Sequence, residues 1–300
     1  MNIDLLVIGG SGFVGSRLVQ AALAAGLHAV YTYARRSLDL CAPAYPVDFL
    51  SDGTSLEDCL RSTHPRAIVH CAVQYPGDPA IHEAVSLRSV ERLTRTLREL
   101  DEGTRLVYVS TNAVFNGWQG RAYRESDSPA ERDDRHRAYG LYRRLGEQSA
   151  LAAWPEKTIV ARTAHVEGRD HAGRLYWRLA EIVEPLLAGQ TVTRFNDRTI
   201  SPTLVDTLAA ALLEMSAPAF AFRGLLHVAG CETLSDYTYA RRIAARLRAD
   251  PNLVQANSSL PDGETRPYNI ALDGSLARQV LATPMENVDQ MLERVFPDGK

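Results

Sequence analysis

A glycine-rich segment near the amino terminus has residue types and a spacing that suit the binding of a dinucleotide. The spacing Gly9-x-x-Gly12-x-x-Gly15 follows a short apolar run and opens an amphipathic stretch, which is the strand-to-helix context that such a motif needs. Glycine permits a tight turn and a close approach of backbone N–H groups to a pyrophosphate, and the helix N-terminus adds partial positive charge. An ordinary strand–helix turn is the alternative. The expected cofactor contacts in this loop are Gly9, Ser11, Gly12, Phe13, Val14 and Gly15.

The residues after the second predicted strand bear on which dinucleotide is bound. An acidic residue there would bind a free ribose 2′-hydroxyl, whereas an arginine would accept a 2′-phosphate. Residues 31–36 contain no Asp or Glu and end in Arg35-Arg36, which favours NADP(H) over NAD(H). The alternative is an exposed arginine pair, because the chain takes nearly all its positive charge from arginine and has only Lys157 and Lys300 as lysines.

Strand-like and helix-like stretches alternate through the first half of the chain, which predicts a parallel sheet covered by helices on both faces. The predicted strands are Leu5–Ile8, His28–Tyr33, Ala67–Cys71, Arg105–Ser110 and Thr158–Arg162. The predicted helices are Ser16–Ala25, Ser55–Ser62, Glu83–Leu100 and Arg137–Ala152. We therefore expect an α/β fold, a Rossmann-type doubly wound parallel sheet with a smaller, interleaved C-terminal substrate lobe.

The second half of the chain has a looser pattern, with helical stretches at Tyr176–Leu187, Val205–Glu214, Tyr237–Arg248 and Val288–Val295. No Gly/Ser-rich linker separates it from the first half. We predict a dinucleotide-binding domain over residues 1–165, to which residues 196–235 return. Residues 166–195 and 236–300 are predicted to form the substrate-binding lobe.

Composition and charge exclude several classes of protein. The chain has 300 residues and a net charge of −3, which argues against bulk electrostatic binding of nucleic acid. No apolar run reaches the roughly 18 residues of a membrane span. The four cysteines form no C-x-x-C pair, so we expect reduced thiols. These features favour a cytoplasmic protein that binds neither nucleic acid nor membrane.

A second motif lies in the middle of the chain, and with the glycine loop it carries a resemblance to a known family. Tyr139-Gly140-Leu141-Tyr142-Arg143 leads into Gly146-Glu147, and Ser110-Thr111-Asn112 stands upstream. These residues resemble the extended short-chain dehydrogenases/reductases, and above all the dTDP-4-dehydrorhamnose reductase family. The likeness runs through nearly the whole chain and includes Val47-Asp48-Phe49, His70-Cys71-Ala72-Val73, Ala161-Arg162-Thr163 and the segment from Asp197 to Thr203.

The resemblance implies a chemistry and a role for each matching residue. Tyr139 would donate a proton to a ketone while NADPH delivers hydride to the carbonyl carbon, and Thr111 would hydrogen-bond the carbonyl oxygen. Arg143 would be the cation that favours the ionised tyrosine and holds the nicotinamide ribose. The implied activity is NADPH-dependent reduction of a keto group on a nucleotide-activated deoxysugar, or on a related secondary-metabolite ketone.

The same resemblance extends the predicted cofactor and substrate contacts. Asp48 and Phe49 match the turn that packs on adenine, and Cys71, Ala72 and Val73 match the strand end that lies along the cofactor, so these five join Tyr139 and Arg143 as expected cofactor contacts. The expected substrate contacts are Thr111, Asn112, Tyr139, His165 and Arg198.

The sequence departs from the family at three of these positions. Arg143 stands where the family has lysine, Asn112 where it has aspartate, and Ser86 where related enzymes usually have asparagine. Arginine is always charged but is longer, planar and forked, and an amide cannot carry a proton. Two alternatives to the reductase therefore stay open: a non-catalytic NADP-binding regulatory subunit, and an epimerase-type enzyme that recycles its cofactor.

One further pattern has the residue types of a metal site. His165-x-Glu167-x-x-Asp170-His171 falls in an expected loop between the sheet and the lobe, where the four side chains could converge. A polar loop facing the substrate is the preferred interpretation, because in the resembling family an aromatic residue often stands at the position of His165 and meets the substrate. We therefore expect no metal. A homodimer is compatible with the sequence.

Overall fold

The computed structural model describes residues 3–51, 53–74, 77–100, 103–130, 137–259 and 268–299. In these ranges the strands are β1 (Leu5–Ile8), β2 (Ala29–Tyr33), β3 (Ala44–Pro46), β4 (Ala67–His70), β5 (Arg105–Thr111), β6 (Thr158–Thr163), β7 (Val166–Glu167), β8 (Val192–Phe195), β9 (Arg198–Ile200), β10 (Thr203–Leu204), β11 (Gly224–Val228), β12 (Leu234–Ser235), β13 (Val254–Asn257) and β14 (Tyr268–Asn269). The α-helices are α1 (Phe13–Ala24), α2 (Ser55–Thr63), α3 (Pro79–Glu83), α4 (Ser89–Leu100), α5 (Arg137–Ala153), α6 (Trp177–Leu187), α7 (Val205–Ser216), α8 (Asp236–Leu247), α9 (Ala277–Val280) and α10 (Val288–Val295).

A parallel sheet of seven strands, in the order β11-β6-β5-β4-β1-β2-β3, forms the centre of the fold. Its inner strands are apolar on both faces because helices cover both. Along β1, Leu5 and Val7 pack with α1 and α7, whereas Leu6 and Ile8 pack with α2, α4 and α5. The predicted fold class, a Rossmann-type doubly wound sheet, is confirmed.

A separate apolar core lies in the second half of the chain, where α6, α8 and α10 pack around the short strands β8, β9 and β13. The proposed boundary between sheet domain and lobe stays a prediction. Strand β11 and helix α7, from the returning stretch, contribute to the core of the sheet, and so do Ala277, Leu281 and Met285 from the stretch assigned to the lobe. None of the helices in the described ranges is long and apolar enough to cross a membrane.

The predicted helix over Glu83–Leu100 is interrupted. A π-helical turn over Ala84–Arg88 separates α3 from α4, and such turns are frequent at functional sites. The backbone carbonyl of Ser86 in this turn accepts a hydrogen bond of 3.0 Å from the Tyr108 hydroxyl. A Cβ atom on Gly146 would overlap both of these oxygens. Glycine at this position therefore lets α5 pack directly against the π-turn.

A buried ion pair fixes α5 to the carboxyl ends of β5 and β6. Arg162 binds both carboxylate oxygens of Glu147, at 2.8 and 2.7 Å, and both side chains are 3% exposed. The hydroxyl of Ser110, on β5, donates to the same carboxylate. Because these contacts join one helix to two strands, they set how far α5 stands from the edge of the sheet.

Loss of this ion pair should destabilise the whole fold. Replacing Glu147 with alanine leaves the Arg162 charge buried and unpaired, which costs about 3–5 kcal/mol in the free energy of unfolding. Urea denaturation of Glu147→Ala measures the loss. Glu99→Ala is the control, because Glu99 pairs with Arg61 on the surface at 3.2 Å and should cost less than about 1 kcal/mol. Equal stabilities of the two variants would show that the pair does not hold α5.

Candidate active site

The candidate site lies at the carboxyl edge of the sheet, where β1 lies between β2 and β4. This is the point at which the strand order reverses, and ligands of open α/β sheets bind in the crevice outside such a point. The glycine loop after β1, the residues that follow β4 and β5, and the first turns of α5 meet at this edge. The fold therefore brings the two predicted motifs together.

The glycines of the loop have different reasons to be glycine. Gly9 has φ +80°, and a Cβ atom on it would lie 2.7 Å from the Cα of Ala72. A Cβ atom on Gly15 would overlap the carbonyl of Gly9. Gly12 differs, because it is exposed and the nearest atom to its Cβ would be the Gly9 oxygen at 3.2 Å. The protein's own packing explains Gly9 and Gly15, whereas Gly12 keeps the outer face of the loop open.

The N-terminus of α1 faces the same opening. Its N-cap is Gly12, no side chain caps it, and the first turn contains no acidic residue. The first backbone N–H groups are therefore left for another partner and carry partial positive charge. This cradle fits the pyrophosphate of a dinucleotide. Phe13 stacks on Tyr176 with ring centroids 3.9 Å apart. Tyr176, the residue before α6, therefore lies against the glycine loop.

The remaining loop residues and the predicted contacts after β4 line the same edge. Ser11 and Val14 are half-buried, and Val14 packs on the core of the sheet. The side chain of Cys71 is buried, and burial raises the pKa of its thiol to about 12, which makes it a packing group at neutral pH. Ala72 is also buried, whereas Val73 is 49% exposed. Val73, three residues after β4, is thus an exposed apolar side chain.

Basic residues stand where the ribose 2′-position of the cofactor is expected. Arg35 and Arg36 follow β2 and are exposed, and neither forms an ion pair with an acidic side chain in the described ranges. Nearby, Asp48 accepts a hydrogen bond of 2.9 Å from the Leu50 backbone N–H, and the ring of half-buried Phe49 lies 6.0 Å from that of His70. Two guanidinium groups without an acidic partner in the described ranges fit the 2′-phosphate of an adenosine.

Arg143 is buried and connects the glycine loop to α5. Its Nη2 donates to the carbonyl of Ala72 at 2.8 Å, and its Nη1 donates to the Tyr108 hydroxyl at 3.1 Å. The guanidinium carbon lies 5.8 Å from the centroid of the Tyr139 ring. Burial opposes the charge on Arg143, but the hydroxyls of Tyr108 and Tyr139 outweigh it and raise the pKa of the guanidinium. The predicted cation is therefore present beside the predicted acid.

Tyr139 has a second neighbour that the sequence did not indicate. Its half-buried ring lies 5.5 Å from the ring of His82 in α3. Burial, together with the charge of Arg143, lowers the pKa of His82, and a hydrogen bond with the Gly77 backbone opposes this. His82 is thus neutral near pH 7. His82 stands four residues before Ser86, about one helical turn. This spacing from a position already compared with the family was the sequence signal that could have pointed to His82.

Thr111 and Asn112 form a polar pair at the end of β5. The Thr111 hydroxyl donates to Asn112 Oδ1 at 3.3 Å, and Asn112 Nδ2 donates to the carbonyl of Ile270 at 2.7 Å. A carboxylate at this position would have no proton to donate to that carbonyl. The amide therefore has a defined structural role, which is to hold the segment after β14 against the catalytic edge.

The predicted contacts beyond β6 lie on the side of the lobe. Thr163 of β6 is in register with Thr111, so His165, two residues further on, is close to the end of β5. His165 is half-buried with φ +48°. Arg198 is paired with Asp236, and its guanidinium lies 5.1 Å from the Phe195 ring centroid.

The described residues contain no group of three or more His, Cys, Asp or Glu side chains placed to hold a metal ion. In the pattern that suggested a metal site, Asp170 is paired with Arg174 at 2.7 Å instead.

A doubly wound sheet, an open glycine loop, and a tyrosine and a cation on one face of α5 together define an oxidoreductase of the extended short-chain dehydrogenase/reductase type. A model of the family described as "RmlD substrate binding domain" matches residues 1–299. The chain belongs to this family, which confirms the family predicted from the sequence.

Named relatives agree with this assignment. The chain is 31% identical to dTDP-4-dehydrorhamnose reductase of Mycobacterium tuberculosis, over 85% of this chain and 79% of the relative. It is 29% identical to dTDP-4-keto-6-deoxy-D-glucose reductase of Streptomyces niveus, over 97% and 96% of the two chains. A solved structure of dTDP-4-dehydrorhamnose reductase from Bacillus anthracis in complex with NADP superposes with a TM-score of 0.78 at 20% identity, covering 99% of each chain.

The glycine loop gives a test that separates binding from folding. Gly12→Val adds a branched side chain at the open face, so we expect NADPH affinity to fall about tenfold or more, by fluorescence titration, with little change in melting temperature. Gly15→Ala should instead lower the melting temperature, because its Cβ would overlap the Gly9 carbonyl. Unchanged NADPH affinity in Gly12→Val would show that the loop is only a turn.

Proposed function

We propose that this protein is an NADPH-dependent reductase of a keto group on a nucleotide-activated 6-deoxysugar. The observation that carries the proposal is the placement of Tyr139 and Arg143 on one face of α5, with the guanidinium 5.8 Å from the tyrosine ring. Arg143 also reaches the strand end that packs against the glycine loop, through Ala72. A proton donor, a cation and a dinucleotide cradle therefore share one edge of the sheet.

The residues at this edge suit NADP(H). The open N-terminus of α1 and Gly12 would hold the pyrophosphate, Arg35 and Arg36 the 2′-phosphate, and Phe49 with Asp48 the adenine side. The buried Nε of Arg143 has no hydrogen-bond partner in the described ranges, so the guanidinium keeps a donor for a ribose hydroxyl. When bound, the reduced cofactor supplies a hydride to the carbonyl carbon. NAD(H) is disfavoured because residues 31–36 offer no carboxylate for a free 2′-hydroxyl.

The side chains of this protein would handle the proton. The Tyr139 hydroxyl donates its proton to the carbonyl oxygen, which becomes the new alcohol, and Arg143 stabilises the negative charge left on the tyrosine oxygen. The Thr111 hydroxyl, which donates to Asn112 Oδ1 in the structure, would turn its proton to the carbonyl oxygen and stabilise the charge that develops there. His82 packs beside the Tyr139 ring and, being neutral, adds no second positive charge at the site.

The names of the relatives support the class of substrate. The relatives from Mycobacterium tuberculosis and Streptomyces niveus are named as reductases of dTDP-linked 4-keto-6-deoxysugars. A nucleotide sugar has a polar carrier and a polar ring, which suits the polar side chains of His165 and Arg198 as its contacts. We therefore propose the C4 ketone as the reacting group.

Oxidation of NADPH tests this function directly. The two probes are dTDP-4-dehydrorhamnose and dTDP-4-keto-6-deoxy-D-glucose. The rate of reduction of each sugar is measured by the loss of NADPH absorbance. Tyr139→Phe keeps the ring but removes the proton donor, so kcat should fall about 10²-fold or more with little change in KM. Tyr142→Phe is the control on the same helix, because its hydroxyl only approaches Glu83, at 3.5 Å.

Three results would contradict the proposal. A wild-type protein that binds NADPH but oxidises it with neither sugar would indicate a regulatory subunit. A tightly retained cofactor with conversion of the sugar but no net NADPH consumption would indicate an epimerase-type enzyme. Equal rates for the wild type and Tyr139→Phe would remove Tyr139 from the chemistry.

A further inference from the structure

Three polar side chains meet on the lobe side of the candidate site. Nε2 of His165 lies 3.6 Å from Oε1 of Glu167. The His165 ring meets the ring of Tyr239 edge-on, with centroids 6.2 Å apart. Glu167 and Tyr239 are each 1% exposed, whereas His165 is half-buried. The cluster thus has one accessible member and two that lie deeper in the lobe.

These side chains lack the hydrogen bonds that buried polar groups normally make. Oε2 of Glu167 and the Tyr239 hydroxyl are buried and have no partner among the described residues. No side-chain hydrogen bond of His165 joins it to a described residue either. A buried polar atom without a partner costs free energy, and such atoms in native proteins call for an explanation by a bound group or a water.

The backbone gives an independent sign that the cluster is functional. His165 has φ +48°, a conformation that costs free energy for a residue other than glycine and that recurs at ligand sites. It is held in place because its carbonyl accepts the N–H of Thr203 at 3.1 Å and because β7, which follows it, pairs with β10. This strained turn at His165 comes two residues after Thr163, which is paired with Thr111 in the sheet. The strained residue therefore lies near the end of β5.

We propose that His165, Glu167 and Tyr239 form a subsite that receives a ring hydroxyl of the sugar. The inference rests on the proposed function, within which His165 is already a substrate contact. Glu167 and Tyr239 are the new elements, and their unpaired oxygens would both be satisfied by one hydroxyl, which donates one hydrogen bond and accepts others. The subsite would make the enzyme specific for sugars that are hydroxylated at the contacted carbon.

The electrostatics of the cluster favour a neutral group over an ammonium. Burial, together with the positive charges of Arg178, Arg198 and Arg194, lowers the pKa of His165 to about 3. Burial also raises the pKa of Glu167 to about 8. At pH 7 both side chains are therefore uncharged. A cationic amino group would find three guanidinium groups nearby, whereas the neighbouring carboxylate of Asp236 is already paired with Arg198.

Two of the same arginines, Arg198 and Arg194, are already engaged by polar partners, which disfavours an anion at the subsite. Arg198 is paired with Asp236. Arg194 donates to the carbonyls of Thr193 and Glu181, and Arg178 lies over the Trp177 ring. Above its pKa the Glu167 side chain becomes a carboxylate, which would also repel an anion. A hydroxyl is the remaining group that matches donors and acceptors without charge.

Substrate analogues combined with variants test the proposal. The sugars are dTDP-4-keto-6-deoxy-D-glucose, its 2-deoxy and 3-deoxy analogues, and its 3-amino analogue. Glu167→Leu and Tyr239→Phe should each raise KM for the fully hydroxylated sugar about 3- to 10-fold, the size of one lost hydrogen bond, with kcat nearly unchanged. Glu167→Gln should restore KM, because an amide also donates and accepts. For the deoxy analogue that lacks the contacted hydroxyl, all variants should match the wild type.

Controls separate this role from a structural one. Removing an unpaired buried polar group breaks no hydrogen bond, so Glu167→Leu and Tyr239→Phe should melt no lower than the wild type. Tyr237→Phe is the matched control, because that hydroxyl only accepts from Arg241, on the helix surface. If the variants shift KM equally for all sugars, or not at all, the cluster holds only water and the proposal fails. A preference for the 3-amino sugar would also overturn it.

The subsite and the proposed function can fail separately. If the wild type oxidises no NADPH with any of these sugars, the reductase function fails. Calorimetric binding of dTDP-L-rhamnose to the NADP⁺-loaded protein then still decides on the subsite. Affinity should fall about 3- to 10-fold in Tyr239→Phe and stay unchanged in Tyr237→Phe, whereas equal affinities of the two variants would overturn the subsite.

Discussion

The buried guanidinium of Arg143 is the contact on which the candidate site depends. Through the Ala72 carbonyl it holds the end of β4, and Ala72 in turn packs on Gly9 of the glycine loop. Through the Tyr108 hydroxyl it reaches the π-turn that carries Ser86. Its third neighbour is Tyr139, one turn earlier on α5. One side chain thus fixes the distance between the cofactor cradle and the proton donor.

The rest of α5 is shaped to keep that side chain in place. Gly146 allows the helix to approach the π-turn, and the pairing of Glu147 with Arg162 anchors the next turn to β5 and β6. The residue that the family has at position 143 is lysine, a compact point charge with a single nitrogen. A planar fork can bind a carbonyl and a hydroxyl in fixed directions at once. The exchange therefore suits the contacts that this chain makes.

The departures at positions 112 and 86 have explanations of the same kind. The Asn112 amide donates to the carbonyl of Ile270 in the distant C-terminal segment, a contact that a carboxylate cannot make. At position 86 the backbone makes the contact and the side chain does not, because the π-turn leaves the Ser86 carbonyl free to accept from the Tyr108 hydroxyl. In this account the three departures change how the site is held together and leave its tyrosine, threonine and cation in place.

Much of the scaffold was predictable from the sequence, because long apolar strands and helices carry a strong periodic signal. The predicted helices over Ser55–Ser62 and Val288–Val295, for example, agree with α2 and α10 to within one residue. The short strands β7 to β10 gave no such signal, since two to four residues show no period. The π-turn was missed because its residues also fit an α-helix.

The partners of the site residues were beyond sequence reasoning for a different reason. The family resemblance implied that Arg143 is the cation, but its contacts with Ala72 and Tyr108 lie 71 and 35 residues away in the chain. The meeting of Glu167 with Tyr239 likewise depends on how α8 packs in the lobe. Only the packing shows these specific contacts.

The most direct test of this account is the rate of Arg143→Lys with dTDP-4-keto-6-deoxy-D-glucose and NADPH. A lysine ammonium cannot span the Ala72 carbonyl and the Tyr108 hydroxyl in the directions of the fork, so kcat/KM should fall at least about tenfold. Arg144→Lys, on the next position of α5, should stay near the wild-type rate. A lysine variant that equals or exceeds the wild type would contradict the claim that the Arg143 guanidinium organises the site.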